Sequence, residues 1–168
     1  MFITNIFAGT VARVTTAGKV SVFADGPFLA AKPTAIGFTI GPNDITFDRA
    51  GTALYVTNIG QNTVVKIEVR GDGAAGSITN FAVGIPTPDG LTFDQRGNLL
   101  VASPFTNSIW VVAPDVRPVL FPSTPSETLS EPLNLAFRGR SLYITNLGLG
   151  AGAGKISVVT VPVPDEEE

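Results

Sequence analysis

A phrase of eight residues occurs three times in this chain and constrains its fold more than any other feature. It reads Gly-Pro-Asn-Asp-Ile-Thr-Phe-Asp at 41–48, Thr-Pro-Asp-Gly-Leu-Thr-Phe-Asp at 87–94 and, less well preserved, Glu-Pro-Leu-Asn-Leu-Ala-Phe-Arg at 131–138. The shared phenylalanines, Phe47, Phe93 and Phe137, are 46 and 44 residues apart. A repeat of this period with strand-forming residues predicts a β-propeller, in which each repeat supplies one four-stranded antiparallel blade.

Three further runs accompany the phrase, and we name the four A (the phrase), B, C and D. They are short, β-branched or aromatic, and bounded by Gly, Pro, Asn or Asp, which is typical of strands. Run B lies at 2–5, 54–58, 99–103 and 142–146, run C at 10–14, 63–67, 108–112 and 155–159, and run D at 20–23, 78–81 and 119–121. The chain therefore predicts an all-β propeller in the order BCD, ABCD, ABCD, ABC, which is about three and a half blades.

We expect one partial propeller domain over 1–164, followed by an acidic, disordered tail at 165–168. The last repeat has no clear D run, because Pro162 and Pro164 cannot donate ladder hydrogen bonds. Propellers usually close with about four to eight blades, and an open ring would expose unpaired strand edges. Two interpretations follow, a fragment of a longer protein or a homodimer in which two chains close one ring.

Several aromatic side chains are expected to be buried. Tyr55 and Tyr143, matched by Phe2, share one position of run B and are predicted core residues. The segment 27–40 between the first two repeats has no strand pattern and is long for a loop. We expect Phe28 and Phe38 to anchor it on the propeller.

Composition excludes several classes of function. The chain has 168 residues, no Cys, no His and a net charge of −3. Thiol catalysis, zinc–thiolate sites and Ser-His-Asp triads are therefore excluded. No nucleic-acid partner is expected, because such proteins need a basic stripe, and no membrane partner, because no apolar run reaches about 20 residues.

The localisation stays open. Met1 and Phe2 lead directly into run B, without the basic region of a signal peptide. We expect a periplasmic or secreted protein if a longer native N-terminus exists.

Asn43 and Asp89 are the leading candidates for a binding site. Run A is the innermost strand of a blade, so its start lies at the mouth of the central channel, where equivalent positions converge. Asn134 is one position further along its repeat, where Leu133 is the equivalent residue, and it joins the set only if its strand is bulged. Oxygen ligands of this kind suit calcium, magnesium or manganese. The same residues are also common turn formers, so metal binding and turn formation both remain open.

Two stretches resemble the SMP-30/gluconolactonase/LRE-like family. They are Pro-Asp-Gly-Leu-Thr-Phe-Asp-Gln-Arg-Gly-Asn-Leu-Leu-Val-Ala at 88–102 and Asn-Leu-Ala-Phe-Arg-Gly-Arg-Ser-Leu-Tyr-Ile-Thr at 134–145, the second similar to that family's last blade. The likeness covers 41–159 well and 1–25 loosely, and NHL-repeat and strictosidine-synthase-like propellers share much of the phrase. The resemblance implies a six-bladed propeller with a divalent cation in its channel, where sugar lactones or related esters are hydrolysed.

The resemblance also implies roles for single residues. Asp89 matches the family's aspartate, which is a metal ligand and general base, and Asn43 matches the asparagine one blade earlier. The family's glutamate and its other asparagine belong to blades that this chain lacks. By this comparison the chain holds half of a metal site.

Two hypotheses remain, and whether the chain is an enzyme is open. The first is a metal-dependent lactonase or esterase-type hydrolase that takes a small molecule at the channel mouth, incomplete unless a partner chain completes it. Its catalytic residue is Asp89 and its metal ligands are Asn43, Asp89 and Asn134. The alternative is a non-catalytic NHL-like propeller that acts as a binding or scaffold module.

Overall fold

The computed structural model describes residues 1–113, 117–121, 129–150 and 154–161. Its strands, in chain order, are β1 (Phe2–Asn5), β2 (Thr10–Val14), β3 (Val20–Ala24), β4 (Lys32–Pro33), β5 (Thr39–Ile40), β6 (Pro42–Phe47), β7 (Ala53–Asn58), β8 (Thr63–Val69), β9 (Ala75–Val83), β10 (Leu91–Phe93), β11 (Leu99–Ser103), β12 (Ser108–Val112), β13 (Val119–Leu120), β14 (Pro132–Arg138), β15 (Ser141–Asn146) and β16 (Lys155–Thr160). Short 3-10 helices at Ile59–Gln61 and Pro104–Thr106 connect the second and third strands of two sheets.

Four antiparallel sheets follow one another along the chain, and we call them blades one to four. They are β1-β2-β3, β6-β7-β8-β9, β10-β11-β12-β13 and β14-β15-β16, and β4-β5 is a separate hairpin. The first strand of each later blade contacts its neighbours, because β6 touches β1 and β10, and β10 touches β14. The predicted all-β fold and the order BCD, ABCD, ABCD, ABC are therefore confirmed, and the chain forms part of a propeller.

Apolar residues on both faces of each sheet hold neighbouring blades together. Every residue of β7 is buried, because alternate side chains point to blade one and to blade three. Val56 packs in the core with Val11 of blade one, whereas Tyr55 and Val64 pack with Leu91 of blade three. The strands are rich in Val, Ile and Leu on both faces for this reason.

The segment 27–40 corrects one expectation. It holds the hairpin β4–β5, and both phenylalanines are exposed, Phe38 to 62%. Leu29 is the buried anchor instead, and the Asn58 side-chain amide donates to the carbonyl oxygens of Phe28 and Ala30. The prediction for Phe28 and Phe38 was wrong because Leu29 and the hydrogen bonds from the Asn58 side chain already hold the segment.

A second correction concerns Tyr143. Its equivalent Tyr55 is 7% exposed, but Tyr143 is 37% exposed. Tyr55 is covered by the rings of Phe81 and Phe93, at centroid distances of 4.8 and 5.0 Å. Tyr143 lies on the face of blade four that no later blade of the described residues covers, so it is not a core residue here.

The end of the predicted domain at residue 164 and the predicted acidic tail at 165–168 lie outside the described residues. The described part of the chain contains no helix that could cross a bilayer.

Candidate functional site

The starts of two inner strands meet at the candidate site. Asn43 is the second residue of β6 in blade two, Asp89 lies just before β10 of blade three, and both are half-buried. The Asn43 Nδ2 donates a hydrogen bond of 2.6 Å to Asp89 Oδ1. The structure therefore brings together an amide and a carboxylate that lie 46 residues apart in the chain.

Asp44 is a second carboxylate at this site, and sequence reasoning assigned no role to it. Its Oδ2 accepts a hydrogen bond of 3.0 Å from the backbone of Leu91, and its Oδ1 accepts one of 2.9 Å from Ile45. Asp44 thus links blade two to blade three near the start of β6. Its charge also acts on Asp89.

Asp89 is held in an environment that disfavours its charged form. Burial, and then the negative charge of Asp44, raise the pKa of Asp89 to about 6, although the hydrogen bond from Asn43 opposes the shift. A carboxyl group with this pKa is poised for proton transfer near neutral pH. Among the described residues, no positive charge compensates the Asp89 carboxylate, and a bound cation would do so.

Two threonines hold the backbone of this pair. Thr4 of blade one donates to the carbonyl oxygen of Asn43, and Thr57 of blade two donates to that of Asp89 at 2.7 Å. The Thr57 hydroxyl also accepts from the Asp44 backbone at 3.0 Å. Run B therefore positions the site residue of the following blade. The repeated Thr-Asn at the end of run B was the signal for this role.

Asn134 meets the condition set for its candidate role, a bulged strand, but its side chain bonds within its own strand. The strand is bulged there, because the register of β14 against β15 shifts between Pro132 and Asn134. The Asn134 Oδ1 accepts from the backbone of Leu135 at 2.7 Å, and its own backbone donates to Thr145 at 3.0 Å.

The hydrogen bonds of Asn134 match those of Asp44, not those of Asn43. Leu133 takes the place of Asn43 in blade four and offers no side-chain oxygen. Asn134 lies beside Gly90, and no hydrogen bond joins it to Asn43 or Asp89 in the described structure.

The pair falls short of a complete cation site. The described residues hold no cluster of three or more His, Cys, Asp or Glu side chains. Calcium takes about 6–8 oxygen ligands, so Asn43 and Asp89 supply a minority of them. A bound cation would need further oxygen ligands from outside this pair.

A cavity of about 580 Å³ lies at the other end of the inner strands. Its apolar lining is aromatic, from Phe47, Tyr55, Phe93 and Phe137, and Arg49 and Arg96 add two guanidinium groups. The neighbouring Asp48 and Asp94 carboxylates accept hydrogen bonds within their own turns. Neither arginine side chain forms an ion pair or hydrogen bond with the described residues. This cavity is separate from the Asn43–Asp89 pair.

Comparison with known proteins places the chain among propellers. The sequence profile described as the SMP-30/Gluconolactonase/LRE-like region matches residues 4–148. No curated protein matches the sequence. Among solved structures, a luciferin-regenerating enzyme superposes with a TM-score of 0.66 at 19% identity, over 90% of this chain and 51% of that one.

Two bacterial structures are similar to a comparable degree. A gluconolactonase from Xanthomonas campestris has a TM-score of 0.63 and 21% identity, over 91% of this chain and 44% of that one. A virginiamycin B lyase from Staphylococcus aureus has a TM-score of 0.65 and 20% identity, over 97% and 52%. The chain thus spans about half the length of the solved structures that it resembles. At these identities the likeness establishes the fold alone.

Proposed function

The chain belongs to the SMP-30/gluconolactonase/LRE-like family, and we propose that it carries part of the site of a divalent-metal-dependent lactone or ester hydrolase. The observation that supports this most strongly is the contact of 2.6 Å between Asn43 Nδ2 and Asp89 Oδ1 at the start of the inner strands. A hydrolase of this kind needs oxygen ligands and a general base at one point. Asp89 can serve as both.

The side-chain oxygens of the pair are of the type that hard cations prefer, although two residues provide fewer ligands than such an ion needs. Asp89 and the side-chain oxygen of Asn43 are the groups that would hold calcium, magnesium or manganese, and Asn134 would have to turn away from Leu135 to join them. When bound, such an ion supplies Lewis-acid activation of a carbonyl group. Asp44 favours the cation through its charge, while its oxygens stay on the backbone of blades two and three.

Asp89 has the properties of the general base. In hydrolysis, water attacks the lactone carbonyl carbon and gives up a proton, which the Asp89 carboxylate accepts. The ring carbon–oxygen bond breaks, the leaving oxygen is protonated and the product is a hydroxy acid. The pKa of about 6 keeps Asp89 ionised at neutral pH and still basic enough to take the proton. Thr57 and Asn43 keep the carboxyl group in place.

Hydrolysis of a sugar lactone tests this function. With calcium or manganese we expect the chain to hydrolyse D-glucono-1,5-lactone faster than the uncatalysed background, and to lose this rate in EDTA. Asp89→Ala should lower kcat/KM by about 10²-fold or more, because it removes both a ligand and the base. Asp25→Ala, an exposed carboxylate in another loop, is the matched control. A rate equal to background with every cation would contradict the proposal.

The cavity at the opposite end supports a second candidate, a non-catalytic binding propeller. Its volume of about 580 Å³ lies in the range of small-molecule sites, and its aromatic rings and unpaired arginines suit a planar anion. In this alternative, Asn43 and Asp89 only shape the turns between strands.

A fluorescence titration distinguishes binding in this cavity from non-specific binding elsewhere on the protein. The probe is 1-anilinonaphthalene-8-sulfonate, a planar aromatic anion. We expect the double variant Arg49→Ala, Arg96→Ala to bind it at least about tenfold more weakly, since the loss of even one charge-assisted hydrogen bond costs roughly 1.5–3 kcal/mol. Arg70→Ala, whose guanidinium pairs with Asp72 outside the cavity, should bind normally. Equal affinity in all three proteins would exclude the cavity as the binding site.

A further inference from the structure

The residue that leads into the candidate site has an unusual backbone conformation. Thr87 precedes Pro88 and the site residue Asp89, and its φ is 43°. A positive φ is disfavoured for a β-branched residue, because its Cβ lies too close to the following carbonyl oxygen. A residue before proline also normally takes an extended backbone. Thr87 is therefore strained immediately before the site.

Asn62 of blade two contacts the backbone of this strained residue. It ends the 3-10 helix Ile59–Gln61 and is itself left-handed, with φ 56° and ψ 42°. Its side-chain Oδ1 accepts a hydrogen bond of 2.9 Å from the Thr87 backbone, and its carbonyl oxygen accepts one of 2.9 Å from Gly84. Asparagine tolerates the left-handed region better than most residues, so both oxygens of Asn62 can bind the segment that follows blade two.

The side chain of Thr87 does not stabilise its own backbone. Its hydroxyl is buried and has no hydrogen-bond partner among the described residues. The hydrogen bond from the Thr87 N–H to Asn62 is therefore the contact at this residue that opposes relaxation to an extended backbone. Such relaxation would turn Pro88 and displace Asp89, whose carbonyl oxygen accepts from Thr57 at 2.7 Å.

The junction of blades three and four repeats this arrangement without a site residue. Asn107 is left-handed, with a φ of 50°, and its Oδ1 accepts a hydrogen bond of 3.0 Å from the backbone of Glu131, whose φ is 51°. Glu131 precedes Pro132 and Leu133, and Leu133 offers no side-chain oxygen. The chain therefore contains a matched pair of asparagines, of which only Asn62 leads to a candidate ligand.

We propose that Asn62 is a positioning residue of the Asn43–Asp89 site. Its side-chain oxygen fixes Thr87 in the left-handed conformation, and the rigid ring of Pro88 passes this orientation on to Asp89. The Asp89 carboxylate then meets Asn43 Nδ2 at 2.6 Å. As a role in hydrolysis this inference rests on the proposed function, but the effect on the contact between Asn43 and Asp89 does not.

Nuclear magnetic resonance of the isotope-labelled chain in EDTA measures this contact without metal or substrate. The side-chain amide protons of Asn43 report the hydrogen bond to Asp89, and Asp89→Ala gives their resonance when the bond is absent. Glycine adopts the left-handed backbone readily, so Asn62→Gly should fold and loses the acceptor oxygen. We expect Asn62→Gly to shift the Asn43 resonance most of the way to its position in Asp89→Ala. Asn107→Gly, the matched control, should leave it unchanged.

A conservative substitution separates positioning from general stability. Asn62→Asp keeps an acceptor oxygen and tolerates a positive φ, so the Asn43 resonance should stay near that of the unmodified chain. Asn62→Gly and Asn107→Gly lose equivalent hydrogen bonds, so their Tm values should fall by similar amounts. A shifted Asn43 resonance in both glycine variants, or in neither, would overturn the proposal.

Hydrolysis gives a second, separate readout. At saturating calcium and D-glucono-1,5-lactone, Asn62→Gly should lower kcat about tenfold or more, because small displacements of a catalytic group are costly, whereas Asn107→Gly should keep the kcat of the unmodified chain. An unchanged kcat of Asn62→Gly in an active protein would overturn the role of Asn62 in the reaction. If the unmodified chain itself does not exceed the background rate, the proposed hydrolase fails, and the Asn43 resonance alone decides whether Asn62 positions Asp89.

Discussion

Gly90→Ala is expected to destabilise the fold by about 3 kcal/mol, because a methyl group at this position has no room. A Cβ atom there would lie 2.3 Å from the carbonyl oxygen of Leu133 and 2.6 Å from the Cα of Asn134. Both neighbours are backbone of blade four, so no side chain can move aside. The Gly90 backbone also donates to Leu133 at 2.7 Å and accepts from Ala102 at 2.8 Å, which fixes it from two sides.

Thermal unfolding measures this effect. For a chain of this size, about 3 kcal/mol corresponds to a fall in Tm of roughly 6–12 °C. Gly71→Ala is the matched control, because a Cβ at Gly71 meets no atom within 4 Å. We expect its Tm to stay close to that of the unmodified chain. Equal Tm values for the two variants would mean that blades three and four do not approach each other at Gly90 as closely as described.

Asp89→Asn is expected to change how stability depends on pH. The pKa of Asp89 is raised from 3.8 to about 6, by burial first and by Asp44 second, so the folded state holds this proton more tightly than the unfolded state. The stability that the protonated group contributes is complete below pH 3.8 and is lost as the pH rises through about 6. The loss amounts to at most about 3 kcal/mol, since one pKa unit is worth about 1.4 kcal/mol.

Urea unfolding in EDTA, with and without the substitution, checks this prediction. The neutral amide of Asp89→Asn does not titrate, so the variant should be more stable than the unmodified chain at pH 8 and similar to it near pH 4. Asp72→Asn serves as control, because its carboxylate is exposed and hydrogen bonds with Ala74 and Arg70 lower its pKa. This control should show no gain at pH 8. A constant difference between the Asp89→Asn variant and the unmodified chain at all pH values would contradict the assigned environment.

The strand order could be predicted from the sequence because local chemistry and the repeat agree. Runs of β-branched residues ended by Gly, Pro, Asn or Asp specify each strand, and the period assigns it to a blade. The contact of Asn43 with Asp89 followed from the same period, since equivalent positions of inner strands converge. Whether this pair binds a cation stays a prediction.

Contacts that depend on which blades are neighbours could not be read from the repeat. The residue that follows the site position is Asp44 in blade two, Gly90 in blade three and Asn134 in blade four. Only the structure shows which contacts between blades explain these differences. Asp44 reaches the backbone of Leu91, whereas Gly90 is small because blade four approaches it. Tyr143 was misjudged because burial in a repeat protein depends on the next repeat as well as on the residue itself.

A calorimetric titration of calcium into the EDTA-treated and dialysed chain tests the central claim, that Asn43 and Asp89 hold a divalent cation. We predict saturable binding that Asp89→Ala abolishes and that Asp72→Ala, an exposed carboxylate outside the site, retains. The same pattern is expected with manganese, because both ions take oxygen ligands. Equal heats for the unmodified chain and Asp89→Ala would contradict the claim and leave Asn43 and Asp89 with a purely structural role.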